Sequence, residues 1–194
     1  GDGGLSSNAF YETQYQQNDI SGKDNIIKRE YIQYMNEYEA EDIIQNYDHI
    51  YASHDLPVSE KETADMHGAV IAYKKGSTLL FTDAIETHLG FVGSQAFVKT
   101  LSSEEDYRGI IQLIENKANG AVVIQTLQST IPGVITIEPG SRSKTERLKA
   151  ASYWMLAKNV YFLTNRLNQP SDAIKMLIQR ITAFPFVKHD DVVD

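Results

Sequence analysis

The segment Gly68–Thr82 reads GAVIAYKKGSTLLFT. Two runs of apolar and β-branched residues, 69–73 and 78–82, lie on either side of a short polar stretch that contains Gly76. β-Branched and aromatic residues favour strands, and glycine supplies the backbone freedom that a tight turn needs. The segment therefore predicts a β-hairpin, and the short turn makes its strands antiparallel.

A long amphipathic helix is predicted before this hairpin, over residues 24–53. Asp24 is a suitable N-cap, and apolar or aromatic side chains recur from Ile27 to Tyr51 at the spacing of one helix face. Pro57 follows, where a helix cannot easily continue. This pattern predicts a helix of about eight turns.

The chain after the hairpin predicts a second strand pair and further helices. Residues 84–99 fit either a helix or a third strand, because Gly90 and Gly93 weaken a helix that the apolar spacing would otherwise favour. Ser143 and Glu146 form a capping box, and Ser171 is a suitable N-cap. The remaining predicted elements are a helix at 103–118, strands at 121–127 and 134–138, and helices at 144–167 and 172–183.

Together these elements predict an α+β fold. The expected architecture is an antiparallel sheet of about four to five strands flanked by helices, with a long N-terminal helix and two C-terminal helices. We divide the chain into a tether or loop at 1–23, one domain at 24–184 and a loose tail at 185–194. A chain of 194 residues buries enough surface to fold without disulfides, and it has no cysteine.

The net charge of −8 is distributed unevenly along the chain. Residues 1–66 carry 14 acidic and 4 basic side chains, whereas residues 67–194 have a net charge of +2. Affinity for a nucleic-acid backbone comes from Lys and Arg, so the acidic balance predicts no nucleic-acid partner. The asymmetry indicates either complementarity within the chain or a surface for a protein partner.

The first residues, GDGGLSSN, lack an initiator Met and have the composition of a flexible tether. We expect an extracytoplasmic location, in the periplasm or at the cell surface, and a lipoprotein tether is one form this could take. A cytoplasmic fragment of a larger protein is the alternative. The sequence contains no run of about 18 apolar residues, which excludes a transmembrane helix in this chain.

No established catalytic motif occurs, neither a phosphate-binding loop nor a nucleophile elbow. Polar residues flank the hairpin at one end, and they suit a divalent metal or acid–base chemistry if they converge. These candidates are Asp65, His67, Asp83, Glu86 and His88. Their spacing matches no metal-site motif, so we interpret them as loop residues and predict neither metal nor cofactor.

A second polar group lies at the end of the predicted first helix. It comprises Asp48, His49, His54 and Asp55. Histidine suits a helix C-terminus because of the helix dipole. We therefore interpret this group as a solvated helix end.

Two further sets of residues are candidates for binding. A basic helix N-terminus can hold an anion, and the residues there are Arg142, Ser143, Lys144 and Arg147. Tyrosine suits protein interfaces because it combines area with a polar group, and five of the eleven tyrosines fall in one segment: Tyr31, Tyr34, Tyr38, Tyr47 and Tyr51. Packing of this stripe on the protein's own sheet is the simpler interpretation.

These observations predict a non-catalytic binding or assembly module that acts through protein–protein contacts, with a homo-oligomer left open. The alternative is a hydrolase-like enzyme with a metal or acid–base site near the residues that flank the hairpin. A small-ligand sensor with an aromatic pocket is a third hypothesis.

Overall fold

A computed structural model describes residues 25–57, 66–115, 121–138 and 140–186, without the side chains of 121–123. The strands are β1 (Tyr34–Asn36), β2 (His49–Asp55), β3 (His67–Lys75), β4 (Thr78–Thr87), β5 (Ile111–Glu115), β6 (Val134–Ile137) and β7 (Val160–Thr164). The helices are α1 (Glu37–Gln45), α2 (Gly90–Ser103), α3 (Ala121–Thr130), α4 (Lys144–Leu156) and α5 (Asp172–Ala183). Short 3₁₀ turns occur at Arg29–Tyr31 and Glu105–Tyr107.

The seven strands form one mixed sheet in the order β1-β7-β4-β3-β2-β5-β6. Strands β2, β3 and β4 are antiparallel neighbours. Strand β5 is parallel to β2, β6 to β5, β7 to β4, and β1 to β7. The predicted antiparallel sheet of four to five strands is therefore wrong in both strand number and direction.

The predicted hairpin is confirmed as β3 and β4, which pair from His67↔Thr87 to Lys75↔Thr78. Gly76 occupies the turn with φ +57°, a conformation that glycine adopts without strain. This hairpin lies in the centre of the sheet, and the other strands add on both sides of it.

The long N-terminal helix is wrong, because residues 34–55 divide into β1, α1 and β2. Asn36 starts α1 at a capping box: its side chain accepts from the Glu39 N–H, and the Glu39 carboxylate accepts from the Asn36 N–H. Strand β2 buries Ile50, Ala52 and His54 in the middle of the sheet. Burial in the sheet overrides the helical spacing of the apolar side chains there.

The elements after the hairpin also differ from the prediction. Residues 84–99 contain the end of β4 and the start of α2, while the helix predicted at 103–118 is replaced by a 3₁₀ turn and β5. The strand predicted at 121–127 is part of α3. Ile124, Leu127 and Ile131 recur at helical spacing and pack into a buried cluster with Ile114 and Val134, so tertiary packing outweighs the β-branched composition.

The capping residues of the last two helices are predicted correctly. The Ser143 side chain accepts from the Glu146 N–H to begin α4, and the Ser171 side chain accepts from the Ile174 N–H to begin α5. Helix α4 ends at Leu156 rather than 167, since Lys158 adopts φ +59° and the chain then enters β7. The tether at 1–23 and residues 187–194 of the tail lie outside the described residues.

Helices cover both faces of the sheet. One face, the α4–α5 face, packs Leu148, Met155, Ile174 and Leu177 against Phe162. The opposite face, the α1–α3 face, holds the other two buried clusters, built on α1, α2 and α3. Within the described parts of the chain, none of the helices has the length and apolarity needed to cross a membrane.

Candidate active site

Two carboxylates lie together at the end of a parallel strand pair. Strands β2 and β5 run side by side, with His54 opposite Ile114 as their last paired residues. Asp55 and Glu115 follow by one residue in each strand. Since neighbouring strands lie about 4.8 Å apart, the two carboxylates project from adjacent positions at the same sheet edge.

Both carboxylates face the α4–α5 side of the sheet. Ser53 and Leu113 precede them by two residues and line an apolar cavity of about 620 Å³ together with Leu148 and Trp154 of α4. Alternate residues of a strand share a face, so Asp55 and Glu115 lie on this side as well. Asp55 is 7% exposed, and the Glu115 side chain is 21% exposed.

Helix α4 places the positively charged side chain of Arg147 beside this pair of carboxylates. Arg147 Nη1 lies 3.6 Å from Glu115 Oε1, with side chains that are partly exposed. The contact places the N-terminal turn of α4 beside the end of β5. Ser143 caps that turn, so the helix dipole also points its positive end toward this edge.

The same row of the sheet continues to Glu86. Asp55 of β2 is paired with Gly68 of β3, and Gly68 is paired with Glu86 of β4. Because Gly68 has no side chain, nothing projects from the sheet between Asp55 and Glu86 along this line of paired residues. Glu86 Oε2 accepts from Arg180 Nε at 3.1 Å and from Nη2 at 2.7 Å. This pair anchors α5 to the sheet edge that carries Asp55.

A buried polar network lies behind the carboxylates, on the α1–α3 face. His54 Nδ1 is 3.1 Å from His67 Nε2, and His54 Nε2 is 2.9 Å from Gln112 Oε1. Burial lowers the pKa of His54 to about 3, helped by the neighbouring His67, and burial alone lowers the pKa of His67 to about 4. Both imidazoles are therefore neutral at pH 7.

The structure separates the candidates predicted around the hairpin. His67 lies on the α1–α3 face, where Asp83 also lies and raises the pKa of Tyr107 as a secondary cause after burial. Glu86 lies on the opposite face with Arg180, His88 is exposed, and Asp65 is outside the described residues. Within the described residues, no three His, Asp or Glu side chains are grouped so that they could hold a metal.

The predicted anion-binding residues lie where the sequence placed them, at the start of α4. Ser143 is the N-cap, Arg142 is exposed, and Lys144 is half-buried. Arg147 is the member that reaches the carboxylate pair. Anion binding there stays a prediction, now located beside Glu115.

The five tyrosines do not form one stripe. Tyr47 packs edge-on against Tyr73 at 5.2 Å and donates to the Arg108 carbonyl, and Tyr51 lines the apolar cavity. Tyr31 packs against the core of the α4–α5 face. Tyr34 and Tyr38 are exposed, and Arg166 lies over the Tyr38 ring. An interface role stays a prediction.

Sequence reasoning missed the carboxylate pair. Asp55 belongs to the group that the sequence predicts as a solvated helix end, and Glu115 lies within the helix predicted at 103–118. The informative pattern is an acidic residue directly after a short apolar run, in HIYASHD at 49–55 and IQLIE at 111–115. Only strand assignments for both segments would have placed the two residues at one edge.

Solved structures similar to this one include viral nuclease domains. The human cytomegalovirus terminase nuclease domain, Mn soaked and inhibitor bound, matches with a TM-score of 0.56 and 12% identity, over 87% of this chain and 90% of that chain. The large terminase nuclease domain of bacteriophage SPP1 with bound Mn gives 0.48 and 11%, over 79% of this chain and 96% of that chain. No protein-family model and no curated protein sequence matches.

The cytomegalovirus match shows that this chain has the same fold as that nuclease domain. The predictions of a non-catalytic, exported module and of an extracytoplasmic location are wrong, because the matching fold is a viral nuclease domain. The prediction of no cofactor is also wrong, since the matching domain was soaked with Mn. Of the sequence hypotheses, the hydrolase-like enzyme agrees better with these findings.

The residues at the sheet edge fit a divalent cation. Mg²⁺ in proteins is commonly held by one or two carboxylates, with water and substrate phosphates completing its shell. Asp55 and Glu115 supply two such carboxylates, partly shielded from solvent and side by side. The two carboxylates and a substrate phosphate can therefore together complete a divalent-cation site.

Proposed function

We propose that this chain is a divalent-metal-dependent nuclease that hydrolyses phosphodiester bonds of DNA. The observation that carries the proposal is the pair of carboxylates, Asp55 and Glu115, at the ends of adjacent parallel strands. The nuclease-domain fold supports the assignment. DNA is chosen as the substrate because the matching cytomegalovirus domain is a terminase nuclease.

Asp55 and Glu115 would hold the cation through carboxylate oxygens. A cation bound there supplies charge for the phosphate and lowers the pKa of a bound water. Asp55 is nearly buried in the sheet, and Glu115 is more accessible. Asp55 would therefore be the fixed ligand, and Glu115 would exchange its contact with Arg147 for one with the cation.

Basic residues at the start of α4 would orient the DNA backbone. Arg142 and Lys144 lie in or beside the turn that Arg147 ties to Glu115. Phosphate oxygens bind well at a helix N-terminus that also carries Lys or Arg. The overall acidic charge does not oppose this role, because residues 1–66 carry most of it and residues 67–194 have a net charge of +2.

The proposal is tested by DNA cleavage with the purified chain. Supercoiled plasmid is incubated with Mn²⁺, with Mg²⁺ and with EDTA, and nicked and linear products are measured. Asp55→Asn and Glu115→Gln should each lower the rate by on the order of 100-fold or more, because loss of a cation ligand removes stabilisation of the transition state. Duplex RNA of matched length serves as the substrate control.

Asp172→Asn is the matched variant control. Asp172 is a fully exposed acidic residue at the start of α5, paired with Lys175, and its loss should leave cleavage unchanged. Thermal unfolding of every variant shows that the fold is retained. Wild-type cleavage that persists in the Asp55 and Glu115 variants would assign the activity to another site or to a contaminant.

A further inference from the structure

The hydrogen bonds of the buried network have one consistent arrangement of protons. Gln112 Nε2 lies 2.8 Å from the Val98 carbonyl oxygen, which can only accept, so this atom must be the amide NH₂. It also donates to Ser102 Oγ. Gln112 Oε1 therefore faces His54 and accepts from it.

The two histidines follow from this orientation. His54 must carry its proton on Nε2, which leaves Nδ1 as an acceptor for His67 Nε2–H at 3.1 Å. His67 Nδ1 is then an unprotonated nitrogen, and it is buried without a partner among the described residues. The chain of donors runs from His67 through His54 to Gln112 and ends on α2.

This network joins β3, β2 and β5 directly behind the carboxylates. His54 precedes Asp55 in β2, and Gln112 lies three residues before Glu115 in β5. His54, His67 and Gln112 are all at least 97% buried, so their polar atoms cannot turn to solvent. A slip of one residue between β2 and β5 would separate the partners and leave buried polar groups unpaired, which costs on the order of 1–3 kcal/mol for each group.

We propose that Gln112, His54 and His67 are positioning residues that fix the register of β2 against β5 and thereby the spacing of Asp55 and Glu115. The proposal rests on the proposed function, since it concerns the same cation site. Apolar side chains could fill the same volume, but their contacts are less directional than hydrogen bonds and fix the relative position of the strands less closely. The network therefore fixes the relative position of Asp55 and Glu115, and the surrounding apolar cluster stabilises the fold.

The test separates register from stability. In the triple variant His54→Leu/His67→Leu/Gln112→Met the three linked side chains all become apolar, and removing these partners together costs less stability than removing one of them. Single variants, such as His54→Leu, would leave buried groups unpaired and need not fold, so the triple variant is the main probe. Tyr73→Phe is the control, because it removes a partly buried hydrogen bond to the Asp106 carbonyl on the same face, at the other end of β3.

Two measurements are made on the full chain. Mn²⁺ affinity is measured by titration calorimetry without DNA, and the triple variant should bind about tenfold more weakly, as is typical when groups behind metal ligands are lost. Hydrogen–deuterium exchange of peptides covering 49–55 and 111–115 should become faster in the triple variant. Tyr73→Phe should change neither quantity.

The outcomes distinguish the two proposals. If the triple variant binds Mn²⁺ with wild-type affinity and exchanges like the wild type, the positioning role is wrong. If Asp55→Asn abolishes Mn²⁺ binding in the same experiment, the proposed cation site survives that result. If the wild type does not bind Mn²⁺, or if Asp55→Asn binds it equally well, the cation site itself fails and the positioning role fails with it.

Discussion

Arg147 and Glu115 connect the first turn of α4 to the end of β5, with 3.6 Å between Nη1 and Oε1. A guanidinium and a divalent cation compete for the same carboxylate when both lie beside it. The positive charge also repels the cation through space. In the proposed cation site, Arg147 would therefore set how readily Glu115 becomes a metal ligand.

Replacing Arg147 with Gln should tighten Mn²⁺ binding in the absence of DNA. The loss of one positive charge near a divalent ion predicts a gain of roughly threefold to tenfold at partly exposed positions. The same variant should weaken DNA binding, because the phosphate loses a cation at this edge. Titration calorimetry measures the Mn²⁺ affinity. Fluorescence anisotropy measures the DNA affinity, with Asp55→Asn present in both proteins so that the DNA is not cleaved.

Arg166→Gln is the control for this prediction. Arg166 pairs with Glu37 at 3.4 Å, and it follows β7, four strands away from β5 in the sheet order. Its removal changes the net charge by the same amount but should leave Mn²⁺ affinity unaltered. Equal effects of the two variants would mean that overall charge, and not the contact with Glu115, controls the site.

The parts of the fold that could be predicted are those governed by neighbouring residues. The turn at Gly76 and the caps at Ser143 and Ser171 depend on side chains within a few positions, and all three are present. Strand β2 could not be recognised because its sequence, HIYASHD, ends in the polar residues His54 and Asp55 at buried positions, so apolar and polar side chains do not follow the alternation of burial. Strand β5 could not be recognised because Gln112 places a polar side chain at a buried position, and its hydrogen-bond partners lie in other elements.

The site could not be predicted for a related reason. Asp55 and Glu115 are far apart in sequence, and the parallel pairing of β2 with β5 brings them together. Parallel pairing depends on a crossover through α2, a region in which the sequence favoured neither helix nor strand. The candidates that were singled out flank one hairpin, and alternation of side chains sends His67 and Glu86 to opposite faces.

Arg180→Met should destabilise the fold by about 2–3 kcal/mol, because Glu86 would be left as a charge with a side chain only 6% exposed. The figure is below the full cost of breaking a buried pair, since the Arg180 side chain is 26% exposed. The double variant Glu86→Met/Arg180→Met should recover most of the loss. Urea unfolding measures all three proteins.

The exposed pair Lys175–Asp172 on the same helix is the control for that prediction. Lys175→Met should change the free energy of unfolding very little, because exposed ion pairs contribute little to stability. A loss as large as that of Arg180→Met would show that any charge removed from α5 matters equally. A double variant no more stable than Arg180→Met would show that the cost is lost packing.

The free energy of unfolding should fall as the pH decreases from 6.5 to 5. The pKa values of His54 and His67 are about 3 and about 4 in the folded protein, below the value near 6.5 expected when the chain is unfolded. In this range the unfolded state binds protons that the folded state does not, so acid favours unfolding. Each histidine contributes a slope of up to about 1.4 kcal/mol per pH unit.

Urea unfolding at pH 7, 6 and 5 measures this slope. The triple variant His54→Leu/His67→Leu/Gln112→Met lacks both groups and should show a much flatter dependence over the same range. Its stability would then exceed that of the wild type at pH 5 even if the two are equal at pH 7. A wild-type slope near zero, or an unchanged slope in the triple variant, would mean that the buried histidines do not remain neutral.

Gly133→Ala should destabilise the protein more than Gly76→Ala, although both glycines have positive φ, +85° and +57°. An alanine Cβ at 133 would lie 2.6 Å from the Ile110 carbonyl oxygen, whereas the space around Gly76 is open. Left-handed backbone costs roughly 1–2 kcal/mol for alanine at either position. Gly133→Ala must in addition push the starts of β5 and β6 apart to relieve this contact, and the Gln112 N–H, which donates to the Gly133 carbonyl, lies at the same point. We expect a difference of at least about 1 kcal/mol between the two variants in urea unfolding. We also expect weaker Mn²⁺ binding in Gly133→Ala alone, since the added methyl group meets Ile110, directly before β5, and β5 carries Glu115. Equal unfolding free energies would show that the sheet absorbs the added methyl group without shifting β5.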